Sequence, residues 1–164
     1  MIKVNSIIKS ISSSIYKGMD SVGLKDKITD NEEQLQLYLN KDSGCFFIDV
    51  HMSSAESVNL HFNKKEVIVD IKYYPTKSNS KKRFLYDVKD MLESTFVRSI
   101  KVDKRVLHIS NIDSLILRDD ISFWVNFSIK LEYHEQAYFK ADDSEIMKDI
   151  KLKYNDSLHI DSEV

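Results

Sequence analysis

The chain has very little glycine, proline and cysteine for its 164 residues. Its three glycines, Gly18, Gly23 and Gly44, are far too dispersed to form the clustered glycines of a P-loop or a dinucleotide-binding fingerprint. The single Cys45 excludes an intrachain disulfide framework and is typical of a reducing compartment. These absences exclude nucleotide-binding loops and disulfide-rich folds, and they indicate synthesis in a cytoplasm.

Long apolar runs are also missing. No stretch approaches the roughly 18–20 consecutive apolar residues that a membrane-spanning helix needs. The segment from Met1 to Lys9 lacks the continuous apolar region and small-residue cleavage site of a signal peptide. We therefore expect no membrane segment and no secretion signal. A chain of 164 residues with ordinary apolar and charged fractions is typical of one domain with a sizeable core.

Residues suited to catalysis or metal binding are scattered along the chain. The five histidines are His51, His61, His108, His134 and His159. None lies three or four residues from another, so no helix can present a histidine pair to a metal ion. Cys45 has no local signature of an activated nucleophile. The sequence therefore predicts no enzymatic activity, no metal site and no cofactor.

Charge is distributed unevenly along a chain whose net charge is only −2. Residues 63–105 contain 12 Lys and Arg against 6 Asp and Glu, whereas residues 135–164 contain 4 Lys against 8 Asp and Glu. A basic middle and an acidic tail can attract each other within one chain or between neighbouring subunits. The basic segment Lys77–Arg83 also lies near Tyr73, Tyr74 and Phe84, and such a mixture of cations and aromatics is found in nucleic-acid-binding patches. Solvated faces are the simpler interpretation of both features.

The longest regular pattern runs from Ile121 to Tyr133 (Ile-Ser-Phe-Trp-Val-Asn-Phe-Ser-Ile-Lys-Leu-Glu-Tyr). Every odd position is apolar, and every even position except Trp124 is polar. Strict alternation predicts a strand with one buried and one solvated face. Thirteen residues at roughly 3.3 Å each extend about 43 Å, against a usual strand of about 5–6 residues. We expect such a strand to offer an edge or a face to a partner, with Trp124 either covered by its own chain or serving as an interface anchor.

Two helices and several strands are predicted in the rest of the chain. Apolar spacing indicates helices over Val4–Met19 and about Ser80–Thr95, the second with Ser80 as N-cap. Strands are predicted at 45–52, 67–74, 100–102, 106–109 and 112–117, with a hairpin turn around Asn63-Lys64-Lys65. Residues 20–44 are weakly patterned and are interpreted as a long loop, in which Glu32–Leu39 could form a short strand or a turn of helix.

This order of elements predicts the fold class. Helix, strands, helix and strands joined mostly by hairpins indicate an α+β protein with an antiparallel or mixed β-sheet, two helices packed on one face and a C-terminal arm. We expect a single domain over residues 1–134, followed by a C-terminal arm and acidic tail over residues 135–164.

Several segments together resemble the tail terminator family of tailed phages and phage-derived particles of Gram-positive bacteria. In chain order they are Ile7-Ile8-Lys9-Ser10-Ile11, Cys45-Phe46-Phe47-Ile48, Ile71-Lys72-Tyr73-Tyr74-Pro75, Leu85-Tyr86-Asp87-Val88, Val106-Leu107-His108-Ile109, Asn111-Ile112 and the strand Phe123–Tyr133. A late arm rich in lysine and glutamate completes the pattern. The resemblance rests on aromatic residues and their spacing over nearly the whole chain.

The resemblance implies a structural role in the virion, at the head-proximal end of the phage tail, for a protein made in the host bacterial cytoplasm. It implies a hexameric ring that caps the tail tube, stops its growth and joins neck or connector proteins. In contractile tails such a ring also touches the sheath protein. DNA would pass through the ring without specific binding, and the resemblance implies no cofactor and no catalytic residue.

The candidate assembly interface combines the long strand with the aromatic residues before Pro75 and with the C-terminal arm. Its residues are Trp124, Tyr73, Tyr74, Lys130, Glu132, Ile150, Leu152 and Tyr154. Two other functions remain open from the sequence: a different head–tail joining protein, such as a neck or tail-completion protein, and a nucleic-acid-binding module that uses Lys77–Arg83. The position of the protein in a particle distinguishes the first, and salt-dependent DNA binding distinguishes the second.

Overall fold

The structure is a computed structural model, and it describes residues 2–59, 61–118 and 122–136. The helices are α1 (Val4–Val22), α2 (Glu32–Asn40) and α3 (Lys82–Thr95), with a 3-10 turn at Lys77–Asn79. The strands are β1 (Lys27–Thr29), β2 (Cys45–Ser57), β3 (Phe62–Tyr74), β4 (Ser99–Val102), β5 (Arg105–Arg118) and β6 (Phe123–Gln136).

The six strands form one curled sheet in the order β1-β2-β3-β6-β5-β4. β1 pairs with β2 in parallel, and every other neighbouring pair is antiparallel. The prediction of an α+β protein with a mixed sheet is therefore confirmed, and the sheet curls into a half-barrel.

Helices α1 and α3 pack side by side on one face of the sheet, as the sequence predicted. Each helix buries a stripe of apolar residues against alternate residues of the central strands, because i, i+3 and i+4 positions share one helical face. The fully buried residues of this core include Ile7, Ile11, Ile15, Leu85, Leu92, Val69, Ile71, Phe127 and Ile129. Gly18 allows the two helices to approach closely, since a Cβ atom there would lie 2.5 Å from Met91 Sδ and 2.7 Å from Thr95 Oγ1.

The third helix, α2, forms where the sequence left open only a short strand or a turn of helix, and it packs on the opposite face of the sheet. Its Leu35 contacts Cys45 and Phe47, whose side chains alternate with those of the main core. The interpretation of residues 20–44 as a long loop is therefore wrong, because the segment contains both β1 and α2. Asn31 begins the helix, since its side chain accepts a hydrogen bond from the Gln34 N–H at 3.1 Å.

Three local predictions need correction. β2 ends at Ser57 and β3 begins at Phe62, so Asn63-Lys64-Lys65 is paired strand rather than turn. The segments 106–109 and 112–117 form one continuous strand, β5, with a bulge at Ser110. The N-cap of α3 is Lys81, without a side-chain cap bond, and Ser80 Oγ instead donates to the carbonyl of Lys77.

The long alternating strand is confirmed as β6, but its position limits what it can offer. It pairs with β3 from Val125 to Gln136 and with β5 from Phe123 to Glu132. Both edges are thus occupied for most of the strand, so only its faces remain for a partner. Ile121, the predicted first residue, lies outside the described residues.

The end of β6 is fastened to the start of the chain through Glu135. The carboxylate of Glu135 accepts hydrogen bonds from the Ile2 N–H at 2.5 Å and from Lys65 Nζ at 2.6 Å. Burial raises the pKa of Glu135, but these two hydrogen bonds outweigh burial and leave the pKa below its usual range. The strand continues to Gln136, so residues 135 and 136 belong to the sheet.

Candidate assembly interface on the open face of the sheet

The sheet face opposite α1 and α3 is here called the open face. It presents alternate residues of the four long strands, including the even-numbered residues of β3 and β6. The even-numbered residues from Lys64 to Tyr74 and from Trp124 to Glu132 are half-buried, whereas the odd-numbered residues Val67–Tyr73 and Val125–Tyr133 are buried under the helices. Helix α2 covers only the corner next to β1 and β2. Most of this face is therefore available for contacts with another molecule.

An ionic network crosses β3 and β6 on the open face. Lys64 Nζ lies 3.1 Å from Glu66 Oε1 and 3.1 Å from Glu132 Oε2. Lys130 Nζ lies 2.8 Å from Glu66 Oε2 and 4.0 Å from Glu132 Oε1. Glu66 and Glu132 are direct partners across the two strands, and each lysine contacts both carboxylates, so the lysines offset the repulsion between these like charges.

The network changes the acidity of its members. Hydrogen bonds from Lys130 and Lys64 lower the pKa of Glu66 to about 2. The hydrogen bond from Lys64 also lowers the pKa of Glu132, and the reciprocal bond to Glu132 raises the pKa of Lys64. These shifts favour the charged forms of Glu66, Glu132 and Lys64, which makes the network a stable pattern of charge on this face.

A second, smaller cluster of ionisable side chains lies beside the network, on β2 and β3. His51 Nε2 is 3.1 Å from Asp49 Oδ2 and 3.7 Å from Asp70 Oδ2. The side chain of His51 is 53% exposed. The ionic network and this cluster together extend from β6 across β3 to β2, the outermost of the long strands on this side of the sheet.

The other half of the open face is aromatic and apolar. Trp124 stacks on Tyr74, with 5.6 Å between the ring centroids and 20° between the ring planes. Leu117 lies opposite Trp124 on β5, and Leu115 lies two residues further along the strand. Leu115 is 58% exposed and Leu117 is 36% exposed. An uncovered apolar patch beside a tryptophan is a feature of contact surfaces between proteins.

Four of the predicted interface residues share the open face. Tyr74 and Trp124 form the stacked pair, and Lys130 and Glu132 belong to the ionic network. Tyr73 points to the other face: it is fully buried, and its hydroxyl donates a 2.6 Å hydrogen bond to Asp26 Oδ2. Tyr73 is therefore a core residue and offers no contact surface.

The remaining predicted interface residues, Ile150, Leu152 and Tyr154, lie outside the described residues. Sequence reasoning also missed the exposed leucines of β5. The alternation of residues 112–117 could have identified these leucines. Leu115 and Leu117 occupy the alternate positions of β5 that face away from the helices.

A second exposed region is the arm formed by the end of β2 and the start of β3. From His51 to Phe62 every described residue is exposed. Met52, Val58 and Phe62 are 54%, 52% and 47% exposed. The arm is held by backbone pairing from Ser54 with Glu66 to Ser57 with Asn63 and contributes little to the core.

The described residues offer no chemical site of another kind. They contain no group of three or more His, Cys, Asp or Glu side chains that could hold a metal ion. Burial, reinforced by the charge of Asp26, raises the pKa of Cys45 to about 11, so its thiol is protonated and unreactive at neutral pH. No helix among the described residues is long and apolar enough to cross a membrane.

The basic segment lies at the end of the sheet where β3 leaves it. Lys77, Lys81, Lys82 and Arg83 are all exposed around the 3-10 turn and the first turn of α3. The Lys77 N–H donates to Asp42 Oδ1 at 2.8 Å, and Lys82 Nζ lies 5.9 Å from the ring centroid of Tyr86. The aromatic residues of the predicted patch are separated, since Tyr73 is in the core and Tyr74 is on the open face.

Comparison with known proteins assigns the chain to a family. The sequence model of the family described as phage tail terminator protein matches residues 6–143, which include every helix and strand from the body of α1 to the end of β6. No curated protein sequence matches the chain. The family is structural, with a role at the tail tube, and it is not a family of enzymes. The chain therefore belongs to the phage tail terminator family and is a component of a phage tail.

Proposed function

We propose that this protein forms a ring at the head-proximal end of the tail tube, where it ends tube polymerisation and joins the tail to the neck. The observation that carries the proposal is the family match over residues 6–143. DNA would pass through the ring without sequence-specific binding. In a contractile tail the outer surface of the ring would also meet the sheath protein.

A hexamer is the ring size that we propose. A ring closes through heterologous contacts, in which one patch of a subunit meets a different patch of its neighbour. The open face supports this arrangement because its apolar corner (Tyr74, Trp124, Leu115 and Leu117) and its ionic network lie toward opposite ends of β3 and β6 and differ in chemistry. Trp124 and Tyr74 would act as interface anchors, with Lys130 and Glu132 fixing orientation.

The exposed arm around Val58 and Phe62 is the surface that we assign to the tube or the neck. It extends beyond the core on paired backbone and exposes apolar side chains. Such an arm can add contacts with a further protein without disturbing the packing of the subunit. Replacement of Phe62 by serine should then weaken binding to tubes or neck protein while ring mass is unchanged.

The proposal is tested by mixing the purified protein with its tail tube protein. The measurements are particle mass in solution and electron microscopy of the resulting tubes with the protein labelled at its N-terminus. We expect a ring at one tube end only. Label distributed along the tubes, or binding to isolated neck protein with no binding to tubes, would instead assign the protein to a different joining role.

A further inference from the structure

Two long strand edges lack backbone partners among the described residues, and they lie on opposite sides of the sheet. β1 covers the outer edge of β2 only at Cys45–Phe47, which leaves Ile48–Ser57 uncovered. β4 covers β5 only at Arg105–His108, with one further bond from the Ile109 N–H to the carbonyl of Arg98 at 2.9 Å. The stretch Ser110–Arg118 is therefore also uncovered.

Neither edge carries the lysine or proline residues that commonly protect an exposed strand. Natural sheets block exposed edges with lysine, proline or very short strands, because unpaired N–H and C=O groups are a template for another strand. The uncovered stretches of β2 and β5 span ten and nine residues and contain no lysine and no proline. Edges of this kind are suited to strand pairing with another chain.

The strand directions allow the two edges to pair with each other. β2, β3, β6 and β5 are successive antiparallel neighbours, so β2 and β5 run in opposite directions. Rotation about an axis along the strands leaves these directions unchanged. The β5 edge of one copy would therefore meet the β2 edge of the next copy as an antiparallel pair, with the helices of both copies on the same side of the joined sheet.

We propose that neighbouring subunits of the ring join by this backbone pairing of β5 with β2, so that the sheets form one continuous closed band. The occupant of each edge is a second copy of this chain. This inference rests on the proposed ring and specifies how the ring closes. It requires heterologous contacts, which the two different edges supply.

The side chains specify the register. In the sheet, Asp113 lies level with Ser128, Asp70 and Asp49, so an unshifted joint would place Asp113 opposite Asp49 of the next copy. Like charges directly opposite each other destabilise a strand pair. A stagger of two residues places Asp113 opposite His51, and strand tilt in a closed sheet produces such a stagger.

The same stagger gives matched faces. On the helix side, Ile112, Ser114 and Ile116 would lie opposite Met52, Val50 and Ile48 of the next copy. Met52 is 54% exposed in the isolated subunit, and this pairing would cover it. On the open face, α2 lies beside β1 and β2 at the joining edge, with Leu37 56% exposed. It would approach the exposed Leu115 and Leu117, which otherwise remain uncovered.

The experiment is cysteine cross-linking of the full-length protein. The test variant carries Asp113→Cys and His51→Cys, the two single variants are controls, and a third control pairs His51→Cys with His108→Cys, where β4 covers β5. The native Cys45 is fully buried and does not interfere. Samples are treated with an oxidant or a short bismaleimide under the conditions in which the ring forms, and are analysed by denaturing gel.

We expect a ladder of cross-linked multimers, up to the full ring, for the test variant alone. Rings that form without cross-links in this variant would overturn the edge pairing and leave the ring itself intact. Cross-linked dimers in a single-cysteine variant would also overturn it, because they require like edges to meet. A protein that shows no ring by mass, alone or with tubes, would overturn both the edge pairing and the proposed ring.

Discussion

Trp124 stacks on Tyr74 across β6 and β3, on the sheet face that α1 and α3 do not cover. The two rings come from neighbouring strands at the end of the sheet where β3 leaves it for Pro75. Their own chain covers them only in part, since both side chains remain half-buried. The pair therefore supports the fold and also presents a rigid aromatic surface, which is the property expected of an interface anchor.

Replacement of Trp124 by alanine should weaken assembly more than it weakens the fold. The loss of the stack and of partial burial should lower the free energy of unfolding by about 1–2 kcal/mol, measured by circular dichroism in urea. The assembled fraction should fall at least tenfold at limiting protein concentration, measured by particle mass. Tyr86→Ala is the matched control, because Tyr86 is an exposed aromatic residue on α3, away from the open face.

Trp124 also provides a direct optical signal, because it is the only tryptophan in the chain. Its emission in wild-type protein should shift to shorter wavelength as subunits assemble, since the indole loses contact with water. An emission spectrum that stays the same when the mass shows a ring would place Trp124 outside the contact surface.

Tyr73 and Tyr74 are adjacent in sequence, but their substitutions should have different effects. Tyr73→Phe removes the hydroxyl that donates to Asp26, which should lower the free energy of unfolding by about 1–3 kcal/mol. Ring formation should be unchanged, because Tyr73 is fully buried. Tyr16→Phe, at an exposed position on α1, serves as the control for loss of a hydroxyl. A Tyr73→Phe protein that is as stable as wild type would contradict the structural assignment.

The ionic network should make stability depend on pH below about 5. Hydrogen bonds from Lys130 and Lys64 lower the pKa of Glu66 from an ordinary value of 4.5 to about 2 in the folded protein. A carboxyl with a lowered folded pKa stabilises the fold above its unfolded pKa, and this stabilisation is lost as pH falls toward the folded pKa. Wild-type stability should therefore decrease between about pH 4.5 and pH 2.

Glu66→Gln should flatten this part of the pH profile, measured as melting temperature against pH. Glu33→Gln is the control, because Glu33 is exposed and forms no ion pair or hydrogen bond within the described part of the chain. Equal slopes for wild type and Glu66→Gln would show that the network does not persist in solution.

The sequence was sufficient to predict the main core but not the whole architecture. Strict alternation in β6 and the helical spacing of Ile7, Ile11 and Ile15 specify which side chains are buried, because β6 and α1 each bury one face in the main core. α2 was missed because its nine residues bury only Leu35 and have little periodicity. Its position on the second face depends on contacts of Leu35 with Cys45 and Phe47, which exist only once β2 has its place in the sheet.

Some of the candidate interface residues could likewise be predicted from the sequence, and others could not. Trp124 stands out in sequence as the apolar exception on a polar face, and its half-buried position on the open face agrees with that pattern. Tyr73 and Tyr74 could not be separated without the register of β3, since one step along a strand exchanges the two faces. The edges of β2 and β5 that lack partners in the described part of the chain were likewise not predictable, because strand order is a property of the folded sheet.

The most direct test of the terminator role is to follow the growth of tail tubes that carry this protein. Short preformed tubes are incubated with it and then supplied with tube subunits bearing a second fluorescent label, and new growth is scored at each end by microscopy. We predict that growth stops at one end, that the protein is found at that end, and that Trp124→Ala restores elongation there. Continued growth at both ends with the protein bound would contradict the terminator role.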